Sequence, residues 1–369
     1  MTKKIRVGVL MGGASSEREI SLASGKMIAE NLPAERYDVV MLDPLALMAH
    51  NPKLTPALRE RARALAARSS APEVLPERDH DLPEAFRQDV VRAAKGVLPA
   101  TEAIIPAPDR RPLDVAFLAL HGPYGEDGTM QGMLDLLGIP YVGSGTLASA
   151  LAMDKVMARR VFAGEGIPTA RGVVVERAEF KADPEGVARR TAMAILPAVV
   201  KPARQGSSIG MSLVREAAAM AAALAEAFTF DARVLVEERL VGTELTVGVL
   251  GNRELRALPP VEIVSKREFF DYIAKYDPAC SEEICPARVA AEIAAAAQEL
   301  ALRAHRALDC RGVSRVDMMA TPVGLFVLEV NTLPGMTINS LLPKAARAAG
   351  IPFPELLERL IALALEPEA

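Results

Sequence analysis

Two carboxylates and a carboxamide stand close together late in the chain. The apolar runs Val313–Met319 and Leu325–Asn331 flank the turn residues Pro322-Val323-Gly324 and read as a β-hairpin. Side chains alternate between the faces of a strand. Arg315 and Asp317 therefore share one face of the first strand, and Glu329 and Asn331 one face of the second, with Phe326, Leu328 and Val330 directed the other way. Asp317, Glu329 and Asn331 offer hard oxygen donors, which suit Mg²⁺, whereas zinc would call for His or Cys. Mg²⁺ usually keeps water and phosphate in its remaining positions, so this donor set implies a nucleotide. The alternative is a salt-bridged sheet surface on which Arg315 neutralises Asp317. For an isolated hairpin the salt-bridged surface is the commoner outcome; charges set among apolar residues of a buried strand, followed directly by Asn331-Thr332-Leu333-Pro334-Gly335, weaken it and leave both readings open.

A second candidate is Lys201-Pro202-Ala203-Arg204-Gln205-Gly206-Ser207-Ser208-Ile209-Gly210, where a strand delivers a lysine into a Gly/Ser loop. Small residues with accessible N–H groups can close over phosphate oxygens. The Walker A order is absent, because the lysine precedes the glycines. The loop from Gly12-Gly13 to Glu19 lacks G-x-G-x-x-G, and Asp43 lies too far along the chain for the ribose-binding acid, which argues against NAD. Glu17, at the start of a helix, either satisfies the helix dipole or grips a substrate ammonium.

The elements needed to position these groups can be read from periodicity. Ile5 to Met11 is a buried strand ended by Gly12-Gly13. Ser16 and Glu19 form a capping box for a helix with Ile20, Ala23, Met27 and Ile28 on one face, and Val39–Leu42 is a second strand. This strand–helix–strand order opens an α/β domain. The proline-rich stretch 44–112 reads as a peripheral insertion with one or two helices, one starting at Thr55-Pro56 with Leu58, Ala62 and Leu65 as a stripe. Strand character returns at Val115–Leu120, before His121-Gly122-Pro123-Tyr124-Gly125-Glu126-Asp127-Gly128, and a helical stretch contains Asp154 and Lys155. Strands follow at 172–175, 198–201, 211–214, 234–237 and 244–250, then an Ala-rich helix near 289–308 and a closing helix at 355–365.

Composition limits the partners. The chain has 369 residues, 43 Lys+Arg against 47 Asp+Glu, and a net charge of −4, which disfavours nucleic acid as the main partner. No segment approaches the ~18 uninterrupted apolar residues of a membrane span. The apolar run after Lys3-Lys4 is too short for a signal peptide. Cys280, Cys285 and Cys310 read as free thiols of a reducing compartment, and the protein is expected in the cytoplasm.

Taken together, several motifs resemble the D-alanine–D-alanine ligases of the ATP-grasp superfamily. They are Gly12-Gly13 with Ser16-Glu17-Arg18-Glu19, His121-Gly122 with Gly125-Glu126-Asp127-Gly128, Gly143-Ser144-Gly145 and Met153-Asp154-Lys155. Lys201-Pro202 with Gly206-Ser207-Ser208, Tyr272 with Ala274-Lys275-Tyr276, Arg315 with Asp317, and Glu329 with Asn331, Pro334-Gly335-Met336-Thr337 and Ser340 complete the set. The resemblance runs over residues 1–43 and 112–369. It implies an α/β, three-domain ATP-grasp architecture: an N-terminal parallel-sheet domain over 1–143 with the insertion at about 44–112, a central domain over 144–239 and a C-terminal domain over 240–369.

It further implies ATP-dependent joining of two D-alanines through an acyl phosphate, for peptidoglycan precursor synthesis. On this resemblance Asp317, Glu329 and Asn331 hold two Mg²⁺ ions (Mn²⁺ as a substitute). Lys155 and Lys201 contact ATP phosphates, and Lys275 the transferred γ-phosphate. Glu237 lies on the adenine side and Glu244 at the ribose. Glu17 binds the ammonium of the first D-alanine, near which His121 is suited to lie. Arg315 and the Gly335 N–H meet the tetrahedral oxyanion, Ser340 receives the second carboxylate, and Glu17, Ser207 and Tyr276 form a hydrogen-bonded triad closing the site. Gln205 and Ile273 depart from the usual loop residues and bear on loop closure. The neutral phenol of Tyr276 favours the dipeptide over a depsipeptide. The resemblance also implies a homodimer. The alternatives are a ligase using D-lactate or D-serine as second substrate, and an inactive nucleotide-binding module.

Overall fold

The computed structural model describes residues 3–15, 17–66, 98–99, 112–206, 208–265 and 281–367. The chain begins with β1 (Ile5–Leu10), α1 (Arg18–Asn31), β2 (Tyr37–Asp43), a short 3₁₀ turn (Pro44–Met48) and α2 (Pro56–Ala66). It continues through β3 (Leu98–Pro99), β4 (Val115–Leu118), α3 (Thr129–Leu137) and β5 (Tyr141–Val142). The five strands are all parallel, in the order β3-β2-β1-β4-β5. The last four residues of β1 are buried, as an apolar run inside a sheet covered on both faces must be.

One expectation changes here, and another lies partly outside the described residues. The Ser16 half of the capping box lies outside the described residues. The helix starts at Arg18 with Glu17 at the N-cap position, and the Glu17 side chain accepts no capping hydrogen bond from the first turn. The stretch 44–112 is also more than peripheral, because β3 pairs with β2 and extends the sheet. Thr55 Oγ1 accepts the Leu58 N–H, and Leu54, Leu58 and Ala62 pack against Leu45 and Ala46; the side chain of Leu65 lies outside the described residues.

The single helix expected around Asp154 is two, α4 (Thr146–Met153) and α5 (Lys155–Gly164). Asp154 has extended backbone, and its carboxylate accepts the Met157 N–H, so it ends one helix and caps the next. Lys155 thereby becomes the first residue of α5. The central antiparallel sheet, in the order β6-β9-β7-β8, follows. It comprises β6 (Gly172–Glu176), β7 (Ala198–Pro202), β8 (Ser212–Val214) and β9 (Arg233–Glu238), with α6 (Arg177–Ala182), α7 (Pro184–Ala194) and α8 (Met220–Phe230). Val200, Val234 and Val236 pack with Ala188, Leu224 and Phe228 beneath the helices. By the strand period, Lys201 and Glu237 face the opposite way.

The third sheet is built from β10 (Thr243–Gly251), β11 (Arg256–Ala257), β12 (Val261–Ser265), β13 (Ser281–Ile284), β14 (Gly312–Thr321) and β15 (Gly324–Asn331). Its order is β13-β12-β10-β14-β15, with β11 on β10. The helix α9 (Ala291–Ala307) covers one face, burying Leu245, Val247, Val316, Met318, Val327 and Val330 against Ala297, Ala301 and Ala304. His305 of α9 is fully buried, with its Nδ1 2.8 Å from Ser314 Oγ on β14. Burial, reinforced by the charge of Arg306, pushes its pKa down to about 4. The helices α10 (Leu341–Ala348) and α11 (Phe353–Ala364) end the fold. In α11, Leu356, Leu357, Leu360 and Ile361 share a core with Val7, Val9, Val115 and Phe117 of the first sheet.

The hairpin β14–β15 forms as expected except for a register shift that turns Phe326 and Leu328 toward the cleft face, Phe326 pairing with Met319. Asp317 pairs with Glu329 but Met318 with Val327, so Leu328 is extra. This β-bulge breaks the alternation: Leu328 lines the same cleft as Glu329 instead of facing away, and Val327 takes the core position beside Val330. Cys285 and Cys310 are free thiols, and Cys280 lies outside the described residues. Among the described residues, no helix is long and apolar enough to cross a membrane.

Candidate active site

The cleft-facing residues of the third sheet lie in transverse rows, because residues directly opposite one another share a face. Register places Thr246 opposite Asp317 and Asp317 opposite Glu329; one row along, Gly248, Arg315 and Asn331 are aligned. Glu244 pairs with Met319 in the row before. Facing them, Lys201 and Glu237 project from the central sheet. A cleft of about 480 Å³ lies between, lined by Lys155, Lys201, Glu237, Glu244, Arg315, Asp317 and Glu329 among others.

Its charges are already paired. Arg315, almost fully buried, forks onto Asp317, Nε to Oδ1 at 2.8 Å and Nη2 to Oδ2 at 2.7 Å. Burial alone would lower the guanidinium pKa. The charge and hydrogen bonds of Asp317, with Glu329 and Glu126 beyond, outweigh it and raise the pKa, so Arg315 stays cationic. Lys155 Nζ lies 3.1 Å from Glu329 Oε2 and donates to the Gln205 carbonyl at 2.8 Å, tying the Gly/Ser loop to the third sheet. Glu237 is held between Arg159 and Lys201. Asn331 Oδ1 accepts the Leu333 N–H at 3.0 Å, which orients its carbonyl oxygen.

Glu17 sits at one rim of the site. β-Carbons placed on Gly122 and Gly206 would each lie 3.8 Å from its Oε2, so three loops converge on this carboxylate. His121 precedes that glycine. At another rim, Ser340 stands at the N-cap of α10, its Oγ accepting the Thr337 N–H at 3.1 Å. A β-carbon on Gly335 would lie 3.0 Å from that same oxygen, so Gly335 and Ser340 are adjacent. An N-terminal helix end with a hydroxyl is suited to a carboxylate. Ser207, Lys275 and Tyr276 lie outside the described residues.

Three contributors were not anticipated. Arg159 is one helical turn after Lys155, and that i,i+4 spacing was the available signal. Thr246 donates to Asp317 Oδ1 at 2.5 Å; only the register of β10 on β14 reveals it. Asp43 is a structural anchor rather than a ribose ligand: fully buried, it accepts from Arg18 and from the Gly13 and Leu45 N–H groups, fixing the first loop.

Models of the D-ala D-ala ligase N-terminus and C-terminus match residues 6–144 and 161–362. The chain belongs to the D-alanine–D-alanine ligase family. The D-alanine–D-alanine ligase of Syntrophobacter fumaroxidans is 43% identical over 367 residues, covering 99% of each chain. That of Desulforudis audaxviator is 41% identical over 363 residues, 98% of this chain and 99% of its own. Among solved structures, the VanG D-Ala:D-Ser ligase of Enterococcus faecalis superposes with a TM-score of 0.76 at 32% identity, covering 98% of this chain and 100% of its own. The Bacillus anthracis D-alanine–D-alanine ligase complexed with ATP does so with 0.69 at 32% identity, covering 99% and 98%. The architecture is therefore the ATP-grasp fold of this family, and the stretch 44–112 is spanned by these full-length matches.

Proposed function

We propose that the chain joins two D-alanines into D-alanyl-D-alanine at the expense of ATP, supplying cell-wall synthesis. The observation that carries this is the cleft in which Arg315, Asp317, Glu329 and Lys155 meet Lys201 and Glu237 of the opposing sheet, in a chain whose full-length relatives bear that activity in their names.

Carboxylate oxygen is a poor leaving group and phosphate a good one, so activation comes first. A carboxylate oxygen of the first D-alanine attacks the γ-phosphorus of ATP, the bond to ADP breaks, and an acyl phosphate forms. The amine of the second D-alanine attacks the acyl carbon, passes through a tetrahedral oxyanion and expels inorganic phosphate, with its surplus proton released. Catalysis of such steps is mainly positioning and charge neutralisation. Lys155 and Lys201 exchange their carboxylate partners for ATP phosphates. Glu237 faces the adenine side and Glu244 the ribose, while Lys275 meets the transferred phosphoryl group. Glu17 holds the first ammonium, within a triad that includes Ser207 and Tyr276. Arg315 and the Gly335 N–H receive the oxyanion, and Ser340 the second carboxylate.

The donor set fits Mg²⁺. Asp317, Glu329 and Asn331 are hard oxygen donors, and His or Cys, which softer metals favour, does not line the cleft among the described residues. When bound there, two Mg²⁺ ions would neutralise triphosphate charge. The three-domain division at about 143 and 239, a homodimer and a cytoplasmic location complete the reading.

The test is ADP release in the presence of Mg²⁺ with D- and L-amino acids offered singly and in pairs, with product analysis at neutral pH. Release with D-alanine and a D-alanyl-D-alanine product is expected. A dominant D-alanyl-D-serine or D-alanyl-D-lactate product would replace the second substrate, and absence of D-alanine-dependent release would overturn the assignment.

A further inference from the structure

Asp317 accepts three hydrogen bonds at the floor of the cleft, and their pattern is asymmetric. A carboxylate has about four lone-pair positions, two on each oxygen. Oδ1 accepts from Arg315 Nε at 2.8 Å and from Thr246 Oγ1 at 2.5 Å. Oδ2 accepts only from Arg315 Nη2 at 2.7 Å among the described residues. Thr246 is 1% exposed and lies directly opposite Asp317 on β10, so its hydroxyl is shielded from bulk water. Its other acceptor within reach, the Val316 carbonyl, is longer at 3.4 Å.

We propose that Thr246 is a positioning residue for Asp317: by filling the second lone pair of Oδ1, it leaves Oδ2 as the oxygen that Asp317 offers to a divalent cation. Arg315 alone does not make this choice, because its fork gives one bond to each oxygen. The Thr246 hydroxyl breaks the tie. It also keeps Oδ1 anchored if Arg315 turns toward an oxyanion, so the cation ligand and the oxyanion donor do not depend on the same bond. The inference rests on the metal reading of Asp317 given above. Ligand-orienting partners of this kind typically change metal affinity or activity by 10–100-fold when removed.

The experiment compares Thr246→Val, which keeps the shape and loses the hydroxyl, with Thr246→Ser, which keeps the hydroxyl. Mn²⁺ binding is followed by electron paramagnetic resonance in the presence of a non-hydrolysable ATP analogue, alongside the Mg²⁺ dependence of kcat and the KM for D-alanine. Thr246→Val is expected to weaken Mn²⁺ binding about 10-fold or more. Its kcat should recover toward wild type at high Mg²⁺, with the KM for D-alanine changed less than about twofold, and Thr246→Ser should stay close to wild type. Urea melts of each variant without added metal separate positioning from a folding defect, since a cation bound to the folded state would itself stabilise it. Thr246→Ala gives a second hydroxyl-free variant if valine folds poorly. Wild-type-like Mn²⁺ binding in both hydroxyl-free variants, or equal losses in valine and serine variants, would overturn the role of Thr246. Absence of a specific Mn²⁺ site in the wild type would instead remove the metal reading on which it rests.

Discussion

The buried histidine of α9 makes stability, and with it the strand carrying Arg315 and Asp317, sensitive to acid. His305 has an ordinary value of 6.5 when unfolded and about 4 when buried. The unfolded chain therefore binds the proton more readily, and stability falls as pH drops. The contribution is complete above pH 6.5 and is lost progressively down to about pH 4. Linkage over that interval gives a loss of about 2 kcal/mol at pH 5 and about 3 kcal/mol at pH 4. Ser314, which holds the Nδ1 side of the ring, is the neighbour of Arg315, so opening this site would loosen the cation-binding row. The measurement is urea unfolding of the wild type and His305→Gln across this range. Glutamine does not titrate, and the carboxylates common to both proteins cancel in the difference. The variant is less stable at neutral pH but should lose about 3 kcal/mol less on going to pH 4. Parallel stability profiles for the two proteins would refute the reasoning.

Glu329→Gln should lower kcat/KM by at least about 100-fold, by removing a charged cation ligand. The unfolding midpoint should barely move, because the side chain is half-exposed and Lys155 retains the Gln205 carbonyl; steady-state kinetics and urea melts check both. Gly143→Ala meets a φ of +106° and places its β-carbon 2.8 Å from Leu333 Cδ2. It should cost about 1–3 kcal/mol in denaturant unfolding and reduce activity by shifting the loop after Asn331. Leu357→Ala, at a fully buried position of α11, should cost about 2–5 kcal/mol by the same measurement.

The parts that could be read from sequence are those where period and chemistry agree. The hairpin around Asp317 and Glu329, the parallel opening of the chain and the Ala-rich helix all carry strong local patterns, and each forms near the expected residues. The missed features depend on contacts that no local pattern encodes. The bulge at Leu328 has no glycine or proline to announce it, and only pairing against β14 exposes it. Thr246 reads as one more β-branched residue of an apolar strand until register sets it opposite Asp317. The break at Asp154 could have been read: an aspartate three residues before the Met157 N–H is an N-cap signal, hidden by helix-forming residues on both sides. Spacing already ruled Asp43 out as a ribose ligand, but its actual place as an anchor follows only from burial beside Arg18.

The seating of α11 on the first sheet reaches into biosynthesis. The strands at the beginning of the chain emerge from the ribosome early, yet Val9 and Phe117 are roofed by Leu356, Leu357 and Leu360, which are translated near the end. The nascent N-terminal half must carry an uncovered apolar surface until then, a natural target for chaperones. A message truncated before codon 353 would yield a product that retains every proposed site residue and still has no lid for that surface, marking it for proteolysis.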